Sequence, residues 1–173
     1  MPASKISIEQ AKTDKLFYFV VNAMIYRESD QRCLLLKRGD QEKAHPGVYA
    51  TVGGKLEWND LDLAKPSRVN GEVLDFEHAI DDLIRREIKE EAGIEVAEKL
   101  HYLGNLAFVR PDGIPVVMLS FAATYASGEV VPEAGAFSDF AWVTAEEAAK
   151  LPCIDGVPKE VATTIELFQS LAE

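Results

Sequence analysis

Apolar and polar positions along the chain follow two periods, and the change between them predicts where strands and helices lie. Residues 16–27 (LFYFVVNAMIYR) form a nearly continuous run of apolar, aromatic and β-branched side chains, which predicts a largely buried strand. Residues 33–37 (CLLLK) predict a second strand after the polar turn 28–32, so we expect these two strands to form a hairpin. Residues 48–52 (VYATV) predict a third strand, which ends at Gly53-Gly54.

The clearest helix is predicted over residues 76–92, where apolar positions recur with a helical period and Gly93 provides a C-terminal stop. The preceding stretch, about residues 58–77, has neither period and contains Pro66 and Gly71. Structureless loops of this length are uncommon in compact domains. We therefore interpret this stretch as a long functional loop or an insertion.

The second half of the chain predicts strands first and helices last. Strands are expected over residues 100–110, 116–125 and 136–143. A Pro111-Asp112-Gly113 turn joins the first two, and a capping box at Thr144 and Glu147 opens a short helix that Pro152 ends. A last helix is expected from Asp155 or Val157 to Leu171. The chain shows no repeat and no second domain, so residues 1–173 predict one α/β (α+β) domain with a mixed sheet sandwiched between helices.

Composition narrows the class of partner and the compartment. The formal charge is −11, and such a surface repels a polyanion, so nucleic acid is an unlikely main ligand. A small phosphorylated compound is not excluded, because bound divalent cations reverse the local sign of the charge. Cys33 and Cys153 have no metal-site or disulfide spacing, which favours reduced thiols in a cytoplasmic protein. No apolar run is long enough for a membrane span, and residues 1–14 are unlike a signal peptide.

Three acids on the central helix carry the chemistry. Glu87, Glu90 and Glu91 lie at positions i, i+3 and i+4, so they project from one face. Like charges at this spacing destabilise a helix unless a cation neutralises them, and Mg²⁺ prefers such hard oxygen ligands. A solvated helix face paired with neighbouring basic residues would explain the acids alone. The strand that ends at Gly53-Gly54 favours the metal site, since glycine lets a backbone carbonyl approach a metal or phosphate closely.

The combination resembles the box of the Nudix (MutT-like) hydrolases, G-x5-E-x7-R-E-U-x-E-E-x-G-U, where U is a bulky aliphatic residue. The second half of the box is matched by Arg86, Glu87, Ile88, Glu90, Glu91, Gly93 and Ile94. The first half departs from it, because 18 additional residues separate Gly54 from the helix. Counting back from Arg86 places His78, and not a glutamate, at the first acidic position.

The resemblance implies the Nudix fold and Mg²⁺-dependent (or Mn²⁺-dependent) hydrolysis of a pyrophosphate linkage in a nucleoside diphosphate joined to another moiety. It implies metal ligands at Gly54, Glu57, Glu87, Glu90 and Glu91. The catalytic group would comprise Glu90, Glu91, Arg86 and, as general base, Glu133, with Asp139 and Asp112 as other candidates for the base. Phosphate or base contacts are expected from Arg38, Lys55, Trp58 and Arg110, with Tyr49 and Phe108 as further stacking candidates.

The substrate stays open between nucleoside triphosphates, ADP-ribose and nucleotide sugars. The expected partner is a small-molecule nucleotide, with a homodimer as a further expectation. Two alternatives to this hydrolase are a Nudix-fold regulator that binds a nucleotide without cleaving it and an RNA 5′-end pyrophosphohydrolase. The regulator interpretation is weakened because the three glutamates are retained, and the RNA interpretation because the charge is strongly negative.

Overall fold

The computed structural model describes residues 17–110 and 113–172, and within them the chain forms nine strands and three α-helices. The strands are β1 (Tyr18–Arg27), β2 (Arg32–Arg38), β3 (Tyr49–Ala50), β4 (Val52–Lys55), β5 (Arg68–Asn70), β6 (Val73–Asp75), β7 (Glu95–Val109), β8 (Pro115–Ser127) and β9 (Phe137–Val143). The helices are α1 (Ala79–Ala92), α2 (Ala145–Ala148) and α3 (Val157–Leu171).

Seven of these strands form one mixed sheet with β1 at its centre. The order is β3-β2-β1-β8-β7, with β4 also pairing with β1 and β9 with β2. The β1–β2 hairpin is antiparallel, as predicted, whereas β1 and β8 run parallel over nine residue pairs. Because β2 leaves β1 after Leu34, the adjacent edge of β1 is free to pair with β4 over Val20–Ala23.

The two faces of the sheet bury different helices. Val21, Ala23 and Ile25 of β1 pack with the apolar stripe of α1, whereas Met24 and Tyr26 pack with α3. This is the alternation expected of a strand, since successive side chains point to opposite faces. The prediction of a mixed sheet between helices is confirmed, and it places α1 and α3 on opposite sides of β1.

The stretch 58–77, which the sequence analysis interpreted as a long functional loop or an insertion, contains regular structure. Trp58–Asp60 form a single 3₁₀ turn, and β5 and β6 form a two-stranded hairpin of their own. The turn of this hairpin contains Gly71, whose φ of 63° lies in the left-handed region that glycine adopts without strain. The stretch is therefore an ordered insertion whose exposed apolar residues, Val69 and Val73, lie outside the core.

Other differences from the predicted elements are local. The strand expected at residues 48–52 divides into β3, which pairs with β2, and β4, which pairs with β1. Helix α1 begins at Ala79 because His78 adopts a left-handed backbone with φ of 61° and cannot continue the helix. The start of the first predicted strand at Leu16, the residues 1–14, and Pro111 and Asp112 of the predicted turn lie outside the described residues. No helix in the described ranges is long and apolar enough to cross a membrane.

Candidate active site

The end of β4 lies close to both α1 and β1, and a side chain at either of its two glycines would meet a neighbour. A Cβ added to Gly54 would lie 2.1 Å from Oε1 of Glu87, and one added to Gly53 would lie 2.4 Å from the carbonyl oxygen of Val21. Both distances are far below van der Waals contact. The double glycine therefore brings a strand backbone against the acidic face of the helix, which is the arrangement that the sequence led us to expect.

Glu91 is the acid held most firmly against this strand. Its Oε2 accepts a hydrogen bond of 3.0 Å from the Gly53 N–H. The pKa of Glu91 is raised to about 8, chiefly by burial and in addition by the nearby carboxylates of Glu87 and Glu133. The Gly53 hydrogen bond and the positive charge of Arg38 act in the opposite direction. A carboxylate in this environment is stabilised in its ionised form by a bound cation.

Arg86 holds the other two glutamates. Its Nη2 lies 2.8 Å from Oε1 of Glu87, and its Nη1 lies 2.7 Å from Oε2 of Glu90. The Glu87 side chain is only 13% exposed, whereas that of Glu90 is 52% exposed. Burial raises the pKa of Glu87, and Arg86 counteracts this. The guanidinium therefore fixes two acids of one helix face, one buried and one open to solvent.

Asp60 is a site residue that the sequence analysis missed. It lies in the 3₁₀ turn after β4, and its Oδ1 is 2.8 Å from the same Nη2 of Arg86. Its Oδ2 accepts a hydrogen bond of 2.7 Å from the Glu57 N–H. His78, which the spacing had indicated at the first acidic position, is exposed to solvent at the start of α1. The spacing from the glycine could have identified Asp60, since Asp60 is the sixth residue after Gly54, where the family pattern has its first glutamate.

The residues present suit a magnesium ion, although they do not form a complete cage. Among the described side chains, no group of three or more His, Cys, Asp or Glu converges on one point. Mg²⁺ rarely needs such a group, because it usually keeps several waters and takes one or two carboxylates together with substrate phosphate oxygens. The donor set of hard carboxylate oxygens, beside the Gly53-Gly54 strand end, fits this ion.

The loop after β8 brings Glu133 to Glu91. The Val131 and Glu133 N–H groups donate to the last carbonyls of α1, those of Ala92 and Glu91, at 3.0 Å each. Glu133 is exposed, and its charge acts on the Glu91 carboxyl. Asp139 lies elsewhere, because its Oδ2 is 3.5 Å from the hydroxyl of Tyr49, which packs on the α3 side of the sheet. Asp112 lies outside the described residues.

The residues predicted to contact phosphate or base are dispersed. Arg38 donates to Glu42 at 2.6 Å and to the carbonyl of Ala44 at 2.8 Å, so it organises the connection after β2. Lys55 and Glu57 form an exposed pair at 2.7 Å.

The remaining candidates lie farther from the acidic face or on the surface. Trp58 is 64% exposed in the 3₁₀ turn. Arg110 follows β7, which is the outermost strand on its side of the sheet. Strands β8 and β1 lie between β7 and β4. Phe108 is exposed near the end of the same outermost strand, and Tyr49 is buried on the α3 side.

A cavity of about 430 Å³ opens on the α3 side of the sheet, beside β1 and the start of β4. Its polar lining includes Asn22, which pairs with Gly53 across β1 and β4, and Thr51, which lies just before β4. Ser120 and Glu160 lie in the same lining. The Asn22 Nδ2 donates to both oxygens of Glu160 at 3.2 Å. Its Oδ1 is buried and has no hydrogen-bond partner among the described atoms. Leu103, Leu106, Met118 and Ile154 supply apolar walls.

Sequence reasoning missed this cavity as well. Asn22 is a polar residue inside an otherwise apolar strand, and Glu160 lies on a helix with an ordinary amphipathic pattern. The polar residue Asn22 inside this strand was the sequence feature that could have indicated a polar site there. Its partner could not be inferred, because Asn22 and Glu160 are 138 positions apart.

The class of protein that this fold and site define is a known one. The profile of the NUDIX domain family matches residues 18–164, which is most of the chain. The chain therefore belongs to the Nudix family.

Relatives and solved structures agree with this assignment. The NAD-capped RNA hydrolase NudC of Pseudomonas aeruginosa is 30% identical over 132 residues, which are 73% of this chain and 40% of the relative. The NudC of Photobacterium profundum is 30% identical over 146 residues, 84% of this chain and 43% of the relative. This chain thus spans well under half the length of these curated relatives.

Two solved structures share the fold at low sequence identity. The MutT protein of Methanosarcina mazei superposes with a TM-score of 0.62 at 20% identity, covering 92% of this chain and 98% of its own. The NUDIX domain of Shewanella oneidensis NrtR, complexed with ADP ribose, gives 0.66 at 14% identity, covering 89% and 90%.

Proposed function

We propose that this protein is a Mg²⁺-dependent hydrolase that cleaves the pyrophosphate linkage of a nucleoside diphosphate joined to another moiety. The observation that carries the proposal is the contact between the Gly53-Gly54 strand end and the acids Glu87 and Glu91. A pyrophosphate is a negatively charged electrophile, and water is a poor nucleophile for it. A bound Mg²⁺ supplies the chemistry for both problems by neutralising phosphate oxygens and lowering the pKa of a bound water.

The residues that would hold the ion are Glu87, Glu90, Glu91 and the carbonyl of Gly54, with Mn²⁺ as an alternative metal. Glu57 belongs to the same proposal as an outer contact, although its carboxylate pairs with Lys55 in this structure. Arg86 orients Glu87 and Glu90 through its two ion pairs and is not itself a nucleophile or base.

Glu133 is our proposal for the general base. Its backbone is fixed to the end of α1, and its exposed carboxylate lies near enough to Glu91 to affect that residue's pKa. An exposed carboxylate can accept a proton from an attacking water at its Oε atoms. Asp139 faces the α3 side, which favours Glu133 over it.

The cavity on the α3 side is the proposed binding site for the nucleoside. Its volume is that of a small-molecule site, and its apolar walls suit the faces of a nucleobase. The unpartnered Oδ1 of Asn22 and the carboxylate of Glu160 are acceptors that an exocyclic amine or a ring N–H would satisfy. Lys55, Trp58, Arg38 and Arg110 remain proposed contacts for the rest of the substrate.

The names of the relatives favour a dinucleotide-like substrate with an adenosine diphosphate half, such as an NAD-type compound or ADP-ribose. RNA with a 5′ cap of the same chemistry is the second candidate, because the NudC relatives are NAD-capped RNA hydrolases. The NrtR domain, which shares this fold, is complexed with ADP ribose, and a regulator that binds such a compound without cleavage is the alternative. Retention of Glu87, Glu90 and Glu91 in this chain favours cleavage.

We also propose that residues 1–173 form a single domain, that the protein is located in the cytoplasm and that it forms a homodimer. The two cysteines are free thiols, which suits a reducing compartment. The outer edge of β7 carries exposed Leu106, Phe108 and Val109, which suits contact with a second copy.

The test is product release from a substrate panel with Mg²⁺, with Mn²⁺ and with EDTA. The panel contains NTPs, oxidised NTPs, NAD⁺, NADH, ADP-ribose, UDP-sugars, dinucleoside polyphosphates and short RNAs with a 5′ NAD or triphosphate. We expect metal-dependent release of a nucleoside monophosphate from the NAD and ADP-ribose group. Binding of a nucleotide with no turnover of any substrate would identify a regulator instead. Turnover restricted to the RNAs would support the second candidate.

A further inference from the structure

We infer that Asp60 is a positioning residue for the metal-binding glutamates, acting through Arg86. The inference includes the position of the insertion, because the additional residues enter the Nudix box after Asp60 and not before it. It deepens the proposed function and rests on it, since the glutamates are taken as ligands of Mg²⁺.

Spacing and contact assign Asp60 to the first acidic position of the box. It follows Gly54 by six residues, as the first glutamate does in the family pattern G-x5-E. Counting back from the helix points instead to His78, which is exposed and has a left-handed backbone. The two counts disagree because the insertion lies between the two halves. The structure joins those halves through the 2.8 Å contact of Asp60 with Arg86.

Burial separates Asp60 from the rest of its turn. Its side chain is 12% exposed, whereas that of Trp58, two residues earlier, is 64% exposed. Both carboxylate oxygens are used, one by Arg86 and the other by the N–H of Glu57. A buried carboxylate bound at both oxygens has a fixed orientation. Asp60 therefore holds the guanidinium from outside the helix.

The shared nitrogen gives Asp60 a direct influence on the metal ligands. Nη2 of Arg86 lies 2.8 Å from both Asp60 and Glu87. Without the Asp60 charge, the guanidinium would shift toward Glu87 and compete with a cation for that carboxylate. The region would also lose one negative charge near the place where the cation binds. Both effects weaken metal binding and leave the core untouched.

The experiment compares D60N, D60E and D62N with the wild type. The amide introduced by D60N keeps one oxygen that can accept from Arg86, so this variant is expected to fold. Asp62, two residues later, has a side chain that is 58% exposed, lies 3.8 Å from Lys65 and accepts a hydrogen bond from the Ala64 N–H. Asparagine can still accept that hydrogen bond, so D62N is the matched control. Each protein is titrated with Mn²⁺ by electron paramagnetic resonance without substrate. The Mg²⁺ concentration for half-maximal hydrolysis and the melting temperature in EDTA are measured in parallel.

We expect D60N to weaken Mn²⁺ binding and to raise the half-activating Mg²⁺ concentration by about 10-fold or more, as for other partners of metal ligands. D60E should recover most of this loss, and D62N should match the wild type. A lower melting temperature in D60N with unchanged Mn²⁺ binding would show a structural role only and overturn the inference.

The outcomes also separate the inference from the proposed function. If the wild type binds Mn²⁺ and D60N binds it more weakly, the inference holds even if no substrate is cleaved, and only the proposed activity fails. If the wild type cleaves a substrate and D60N has the same metal dependence, only the inference fails. A wild type that binds no Mn²⁺ overturns both.

Discussion

Two acidic regions lie on opposite sides of the same pair of strands, β1 and β4, and they differ in what holds their carboxylates. On the α1 side, Glu91 accepts from the backbone of Gly53, and an arginine fixes its neighbours. On the α3 side, Glu160 is held by the neutral groups of Asn22 and Ser120 and lines a cavity. Burial raises the pKa of both acids, so exposure alone does not distinguish them.

The distinguishing feature is the kind of partner that each carboxylate still lacks. The acids of α1 share one helix face beside a glycine strand end, an arrangement that a divalent cation stabilises. Glu160 stands alone beside the unpartnered Oδ1 of Asn22, an arrangement that an N–H donor stabilises. We therefore assign metal binding and catalysis to the α1 side, and binding of the nucleoside to the α3 side. Gly53 and Asn22, which pair across the two strands, connect the two regions.

The largest effect is expected for Glu91→Gln. Removing a charge that acts through the metal should lower kcat by at least about 100-fold, since metal-based stabilisation contributes several kcal/mol. The fold should persist, because glutamine still accepts from the Gly53 N–H. Steady-state kinetics at saturating Mg²⁺ and a thermal melt would check this. Activity close to that of the wild type would remove Glu91 from the mechanism, and the acids on the α1 side could then no longer be distinguished from Glu160 by a role in catalysis.

The second prediction concerns stability against pH without metal. In the unfolded chain the Glu91 carboxyl has a pKa near 4.5, and in the folded, metal-free chain its pKa is raised to about 8. Between these values the folded protein holds a proton that the unfolded chain has released, so stability falls as pH rises and is lowest above pH 8. Glu160, whose pKa is also raised, acts in the same direction.

Melting curves from pH 5 to 9 in EDTA should show this decline, with a contribution from Glu91 on the order of 4 kcal/mol. Added Mg²⁺ should cancel the Glu91 part alone, because the cation stabilises the ionised acid on the α1 side. E91Q should therefore decline less than the wild type in EDTA and lose its response to Mg²⁺. If Mg²⁺ flattened the curve of E91Q as strongly as that of the wild type, the cation would have to act at a different place.

The smallest of these effects is expected for Glu160→Gln. If Glu160 contacts the nucleoside in the same way in the ground state and the transition state, its loss should raise KM by about 10-fold and leave kcat nearly unchanged. Glu166→Gln, on the exposed face of the same helix, is the control and should change neither constant. A fall in kcat with constant KM would place Glu160 in the chemistry and remove the contrast between the two sides.

Periodicity was sufficient for the elements that bury one clear face. Helix α1, the β1–β2 hairpin and the order of strands before helices follow from apolar spacing, because each of these elements contributes a continuous stripe to the core. The cluster of acids on α1 was predicted from local spacing alone, since all three residues lie within two turns of one helix. Their closeness to Gly53-Gly54 needed the family pattern as well.

Features that depend on contacts between distant segments were not accessible in this way. The β5–β6 hairpin has an Asn70-Gly71 turn signal, but its strands have only three residues each and bury no core face. Asp60 could have been found by counting from Gly54, whereas its contact with Arg86 spans the whole insertion. The cavity needs β1, β8 and α3 together, so no local window contains it.

The parallel pairing of β1 with β8 has a consequence for synthesis. Tyr18 pairs with Val116, so the central strand meets its neighbour about a hundred residues later in the chain. A ribosome adding about 5–20 residues per second leaves that edge of β1 uncovered for about 5–20 s. During this interval the antiparallel contacts with β2 and β4 are the native ones within reach. The nascent chain therefore presents an apolar strand edge to chaperones, or to other nascent chains, until β8 has emerged.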